Sequence, residues 1–168
     1  MASAPPTGAS NAELVRWAFE DCLNRQDVTP LRAFWTDETV ERFPDETCHG
    51  ADAIANYFER CFAGMPDFHM EIRMLMEDGD HVFVHWRLTG THQGTFAGIE
   101  RTGRSLAIDG MDHFEFRDGR VASNFVVFDQ MQIARQLGLL PADGSAADRA
   151  MKSAFNVKTR LGELITRS

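Results

Sequence analysis

The spacing of apolar residues in this chain changes once, from a helical repeat to a strand repeat, and that change limits the folds open to it. Early on, Leu14, Ala18 and Cys22 form one i,i+4 row and Val15, Phe19 and Leu23 the next. Two adjacent rows make a wide apolar stripe on one helix. Ser10-Asn11-Ala12-Glu13 supplies a capping box at its start, and residues 24–27 end it. Pro30 suits the first turn of a short second helix over residues 30–35. Residues 39–43 read as a short strand and 44–50 as a loop. Ile54, Phe58, Cys61 and Phe62 share one face of a third helix over 51–62, stopped by Gly64 and Pro66. Beyond that point the period is two. Phe68, Met70, Ile72, Met74 and Met76 alternate with His69, Glu71 and Arg73, and Val82, Val84, Trp86 and Leu88 alternate in the next strand. The methionines of the first of these strands are expected in the core. Asp78-Gly79 and Asp118-Gly119 are hairpin signals, and further strands are expected over 105–117 and 120–129. Helices first, then hairpinned strands, is an α+β order, with one sheet face packed on the helices.

Composition narrows the partners. The 168 residues suit one domain, and a net charge of −8 argues against nucleic acid or anionic membrane, both of which need a basic footprint. A small organic ligand remains open. Cys22, Cys48 and Cys61 are odd in number and form no C-x-x-C, as free thiols in a reducing compartment would. No apolar run approaches the ~20 residues of a membrane span. Residues 1–8 lack the apolar core of a signal peptide, so a cytoplasmic location is expected. The expected organisation is a disordered start over 1–9, one α+β domain over 10–141 and a helical extension over 142–168. In that extension Met151, Phe155 and residues 161–165 give an apolar side that would cap the domain or meet a partner subunit.

Several short pieces, taken in order, carry a family resemblance. They are Gly90-Thr91-His92-Gln93-Gly94-Thr95-Phe96-Ala97-Gly98, Thr102-Gly103 and Phe114-Glu115-Phe116-Arg117-Asp118-Gly119-Arg120-Val121, then Asp129 and Gln136-Leu137-Gly138. Thr39-Val40-Glu41 and the Gly50-Ala51-Asp52-Ala53-Ile54 helix entry fit as well. Together they resemble the SnoaL-like polyketide cyclases, or ester cyclases, of the nuclear-transport-factor-2-like superfamily. The resemblance implies a cone-shaped curved antiparallel sheet wrapped by N-terminal helices around an apolar pocket, often in a homodimer. It implies cofactor-independent acid/base chemistry on a polyketide-like or aromatic small molecule: aldol-type cyclisation, C–C lyase action or isomerisation. Non-catalytic binding modules share the fold, so fold alone does not fix function.

The candidate residues follow from alternation and from that resemblance. Asp112 shares a strand face with Phe114 and Phe116. A carboxyl among aromatic rings is kept protonated by burial, and a neutral acid can donate to a developing oxyanion. Ketosteroid isomerases of this superfamily carry such an aspartic acid at the similar position, an effect for which they are a standard example. Their base would fall near Arg42 and their tyrosine near Phe19; the sole tyrosine is Tyr57. The cyclase acid/base aspartate falls at Val126, which cannot move protons. Asp129 is read either as a helix N-cap or as a base at the cone mouth. His92, in the Gly-rich segment, and His85 are candidate proton carriers. His81 and His85, ~13 Å apart along a strand, cannot chelate one metal, and no metal site is expected. Arg42 and Arg87 would pair with a carboxylate, either internal or from a ligand. Trp86, Phe19, Tyr57, Phe114, Asn124, Val126 and Phe128 complete the expected substrate-binding set. Gly94-x-x-x-Gly98 lacks the lysine and helix of a phosphate loop.

Overall fold

The computed structural model describes residues 4–96 and 98–166, with side chains to residue 160. Helix α1 (Asn11–Trp17) starts at the expected capping box: Ser10 accepts from the Glu13 N–H at 3.2 Å and Glu13 returns a bond to the Ser10 N–H at 2.8 Å. It continues through a wide π-helical turn (Ala18–Cys22) and a 3₁₀ turn (Leu23–Arg25). A second 3₁₀ turn (Thr29–Ala33) replaces the expected second helix. Then come β1 (Trp35–Arg42), β2 (Thr47–His49), α2 (Ala51–Gly64), β3 (His69–Asp78), β4 (His81–Thr91), β5 (Ser105–Arg117), β6 (Arg120–Phe128), α3 (Gln130–Leu137) and α4 (Ala146–Thr166). The segment expected as a loop after β1 thus contains a short strand pairing back on it.

The six strands form one curved, unclosed sheet in the order β2-β1-β6-β5-β4-β3. The α+β architecture is the expected one. Every pairing is antiparallel except that of β1 with β6, which is parallel. β4 and β5 alternate cleanly: Val82, Val84, Trp86 and Leu88 are buried, as are Leu106, Ile108, Phe114 and Phe116. In β3 a bulge between Ile72 and Met74 breaks the phase. An extra residue on one strand swaps the faces of everything after it. Leu75 therefore packs on the core, while Met74 and Met76 stand outside at 56% and 57% exposure, against expectation.

Two side chains extend the sheet where strands stop. Asn24 bonds both the N–H and C=O of Met70 (2.7 and 2.8 Å) on the edge strand β3. Such pairing blunts an open edge. β6 ends with Phe128 opposite Gly110, and beyond it Gln136 of α3 takes the N–H and C=O of Ala107 (2.7 and 2.8 Å). This pins α3, and with it Ile133, over the end of the sheet.

Helix α4 leaves the domain. Its residues 149–160 are all exposed, including Phe155 at 67%, so this part does not cap the domain. Side chains 161–165 of the expected apolar side, residues 1–3 of the expected disordered start and Ala97 of the Gly-rich segment lie outside the described set. Cys22, Cys48 and Cys61 are buried and unpaired with one another. No helix among the described residues is long and apolar enough to cross a membrane. Gln136→Ala should lower the unfolding free energy by about 1–3 kcal/mol, the cost of stranding the Ala107 backbone groups. Urea titration measures it; an unchanged midpoint would show that α3 is held by apolar contacts alone.

Candidate active site

The concave face of the sheet and the helices enclose one aromatic cavity. Its open volume is about 70 Å³. That is room for a few waters, and about half of the ~150 Å³ in which an engineered cavity holds one benzene, so a single ring enters as the walls give slightly. Phe43, Tyr57, Phe58, Phe96 and Ile133 form part of its wall, and Phe43 stacks on Tyr57 at 3.8 Å between ring centres.

Three neighbouring strands send polar groups into this cavity. β1 contributes Glu41, β6 Asn124 and β5 Asp112. Glu41 and Asn124 are directly opposite each other in the parallel β1–β6 pairing, and Asp112 lies opposite Val126, two residues along β6. Glu41 is 1%, Asn124 3% and Asp112 7% exposed. Indole N–H groups hold the two carboxyls: Trp35 Nε1 donates to Glu41 Oε1 at 2.7 Å and Trp86 Nε1 to Asp112 Oδ1 at 2.9 Å. Asn124 Nδ2 donates to Asp112 Oδ2 at 3.3 Å. Glu41 Oε2 and Asn124 Oδ1 are buried without a partner. Trp86 reaches its place because Gly110 lies opposite it on β5; a Cβ there would meet the indole ring at 2.2 Å.

Burial dominates the acidity of both groups. It pushes Asp112 up to about 7, against the pull of the Trp86 and Asn124 hydrogen bonds. It pushes Glu41 up to about 8; the negative charge of Asp112 adds to the rise, and the side chains of Trp35 and Asn124 oppose it. Near neutral pH the pair therefore holds roughly one proton between two carboxyls, and its ionisations belong to the pair.

Of the residues expected at a site, Asp112, Trp86, Phe19, Tyr57, Phe114, Asn124, Val126 and Phe128 all line this cavity. Others lie elsewhere. Arg42 is exposed, one position past the inward Glu41. Asp129 caps α3, accepting from the Met131 and Gln132 N–H groups at 2.9 and 3.0 Å. His85 and Arg87 stand on the outer sheet face and share Asp109, at 3.8 and 3.0 Å. An odd-numbered residue of β4 points away from Trp86 and its cavity. His92 is buried against Thr102 (3.1 Å) at the base of the Gly-rich loop and does not line the cavity. The Tyr57 hydroxyl donates to Asp45 at 3.2 Å. Among the described residues no three His, Cys, Asp or Glu groups are placed to hold a metal ion. Glu41 is the residue that the site candidates omitted. Its signal was present in β1, where alternation puts Glu41 on the face of Phe43.

Residues 13–137 match the family model described as SnoaL-like polyketide cyclase. Among solved structures the chain is similar to one from Jannaschia sp. CCS1 classed as a SnoaL-like polyketide cyclase (23% identity, 78% of this chain and 93% of that one, TM-score 0.72). It is also similar to TsrD of Streptomyces laurentii (21%, 80% and 100%, TM-score 0.71). A third is AclR of Streptomyces galilaeus, classed as a hydroxylase (24%, 83% and 87%, TM-score 0.63). At these identities the likeness is one of fold. No curated protein matches the sequence.

The two raised acidities set the sign of a pH effect. In the unfolded chain these carboxyls titrate near 4. The folded chain therefore binds more protons from about pH 4 up to about pH 8, and stability falls as pH rises through that window before levelling off. Glu41→Gln keeps an acceptor for Trp35 and removes one ionisation. It should raise the melting temperature by a few degrees at about pH 9 and by little or nothing at about pH 4. Thermal melts across pH read this directly, and a shift independent of pH would refute the burial argument.

Proposed function

The chain belongs to the SnoaL-like polyketide cyclase family, and on that premise we propose that it is a cofactor-independent acid/base enzyme acting on a carbonyl compound held in the aromatic cavity. The reaction favoured is an intramolecular aldol closure; C–C cleavage and isomerisation use the same first step. The observation that carries the reading is the Glu41–Asp112 pair, two buried carboxyls that line one cavity and feel each other's charge.

In the singly protonated pair one carboxyl is a base and the other an acid; the proton rests on Glu41, the weaker acid, and the reactive tautomer carries it on Asp112. Glu41 Oε2 is the oxygen free to meet a substrate. As carboxylate it removes a proton from the carbon next to the carbonyl, and the C–H electron pair becomes the enolate. The protonated Asp112 donates toward the enolate oxygen from a site lined mostly by apolar side chains. The enol carbon then attacks a second carbonyl, a C–C bond forms, and the new alkoxide recovers the proton from Glu41. The indole donors fix both carboxyls so that they need not reorganise as charge moves.

Val126 favours a second reading, a binding module without catalysis, because it occupies the position of the family's acid/base aspartate. Proton exchange separates the two. A single-ring ketone such as cyclohexanone in D₂O should lose its α-protons faster with the protein than in buffer. Glu41→Gln should slow that exchange by about a hundredfold or more. The rate should peak between about pH 7 and 8, falling below as both groups protonate and above as both ionise. Ketones that bind, by saturation-transfer NMR, yet exchange no faster than in buffer would establish the binding module instead.

We propose further that the chain pairs with a second copy through the outer sheet face. Register places Met76, Phe83, His113 and Phe125 in one row across four strands, and Met74, His85, Met111 and Val127 in the next. Met111 and Phe125 are 49% and 53% exposed. Arg87 with Asp109 and Arg73 with Glu71 pair within the face, at 3.0 and 2.8 Å. A twin face can therefore cover these two pairs without stranding their charges. Sedimentation should show a dimer at micromolar concentration and a monomer for Met111→Asp; a monomeric wild type would overturn the proposal.

A further inference from the structure

The cavity has a charge imbalance that its own residues leave uncorrected. Among the described residues no Lys, Arg or His lines it, while Glu41 and Asp112 both do. The donors on their oxygens are the neutral N–H groups of Trp35, Trp86 and Asn124. Arg42 is exposed, and Arg60 lies over the Tyr57 ring at 5.6 Å while paired with Glu46. Buried carboxylates are ordinarily matched by a cation, because desolvation is otherwise uncompensated.

The unmet groups are of one kind. Glu41 Oε2 and Asn124 Oδ1 are both buried without a partner. An amide oxygen can only accept, and so does Glu41 Oε2 whenever Glu41 is the ionised member of the pair. An acceptor left unpaired away from water is costly. Around them stand indole and phenyl rings, among them Trp35 stacked on Phe58 with ring centres 5.8 Å apart. A protonated amine answers all of these at once. It carries donors and no acceptor, brings a positive charge, and is attracted to aromatic faces. A carboxylate or phosphate ligand would meet two acids and two orphan acceptors.

We infer that the ligand of this cavity carries a protonated amine, set against Glu41 Oε2 and Asn124 Oδ1, with its hydrocarbon part among the aromatic rings. This rests on the cavity being the substrate site, as proposed above, and adds the substrate's charge. The raised pKa values of the two carboxyls agree with it, since burial raises both and no positive charge offsets it. An ammonium group seated there would lower them, so binding near neutral pH releases protons.

Three ring-sized ligands of nearly one shape test the inference: benzylamine (cationic), benzyl alcohol (neutral) and benzoate (anionic). Calorimetry or the fluorescence of Trp35 and Trp86 gives each affinity. Benzylamine should bind about tenfold or more tighter than benzyl alcohol, as expected for a desolvated cation among aromatic rings. Benzoate should show no saturable binding. Glu41→Gln should remove most of the benzylamine advantage over benzyl alcohol. The wild-type ranking decides even if the variant folds poorly. Benzyl alcohol equal to or tighter than benzylamine, or saturable benzoate binding, overturns the amine inference while leaving ketone proton exchange to judge the catalytic reading. The expected ranking without proton exchange would do the reverse.

Discussion

The structure turns on one uncomfortable arrangement: two carboxyl groups taken out of water in an aromatic cavity with no cation beside them. Burying an ionised carboxylate is expensive, and proteins commonly meet that expense with an arginine or lysine. Here the adjustment is made by protons and by indole N–H groups. Glu41 and Asp112 each receive one indole donor, and their pKa values rise toward neutrality. The result is a pair that changes protonation where general acid/base chemistry is most effective. A buried arginine would have relieved the strain on folding and pulled both groups back to permanent ionisation.

The fold supplies that arrangement by devices that are individually small. The parallel joining of β1 to β6 sets Glu41 opposite Asn124 and brings it within reach of Asp112 on the next strand. A register shift between Trp35 and Val40 lets the Trp35 indole turn back to Glu41, six residues along the same strand. Gly110 gives Trp86 the space to lie across β5 and reach Asp112. Each is a departure from regular sheet, and each serves the carboxyls. Irregular backbone beside a functional group is where such departures concentrate.

The same irregularities decide how much could be read from sequence. The capping box, the α2 face and the alternation of β4 and β5 depend on neighbours within a few residues, and they are as expected. Asp112 was legible for that reason, since the strand around it alternates without a break. The β3 methionines were misplaced because Met74, Leu75 and Met76 are consecutive apolar residues. Such a run fits either phase, and the bulge that chooses leaves no local mark. Glu41 was half legible. Thr39, Glu41 and Phe43 alternate inward, but the superfamily comparison pointed to Arg42, one position and therefore one face away. That Glu41 and Asp112 meet at all follows from strand order, which is a property of the whole sheet. His85, Arg87 and Asp129 illustrate the converse: their residue types suit catalysis, but a sheet has two faces and a helix needs a cap.

Cavity size bears on what the site can hold. An open volume of about 70 Å³ suits one ring, whereas a polyketide folded for ring closure spans several. The walls that would have to yield are not equally free. Trp86, Asn124 and Trp35 are tied to the carboxyls by hydrogen bonds, and the sheet behind them is continuous. Phe96 belongs to the loop between β4 and β5, where among the described residues its backbone pairs with Ile99. Ile133 rides on α3, held by Gln136 and by buried Leu137. Enlargement is therefore easiest at the loop, where Phe96 stands outside the sheet. A larger substrate would place its reacting atoms in the rigid, charged end and its remaining rings under the yielding loop, so proton position is conserved while substrate length is accommodated.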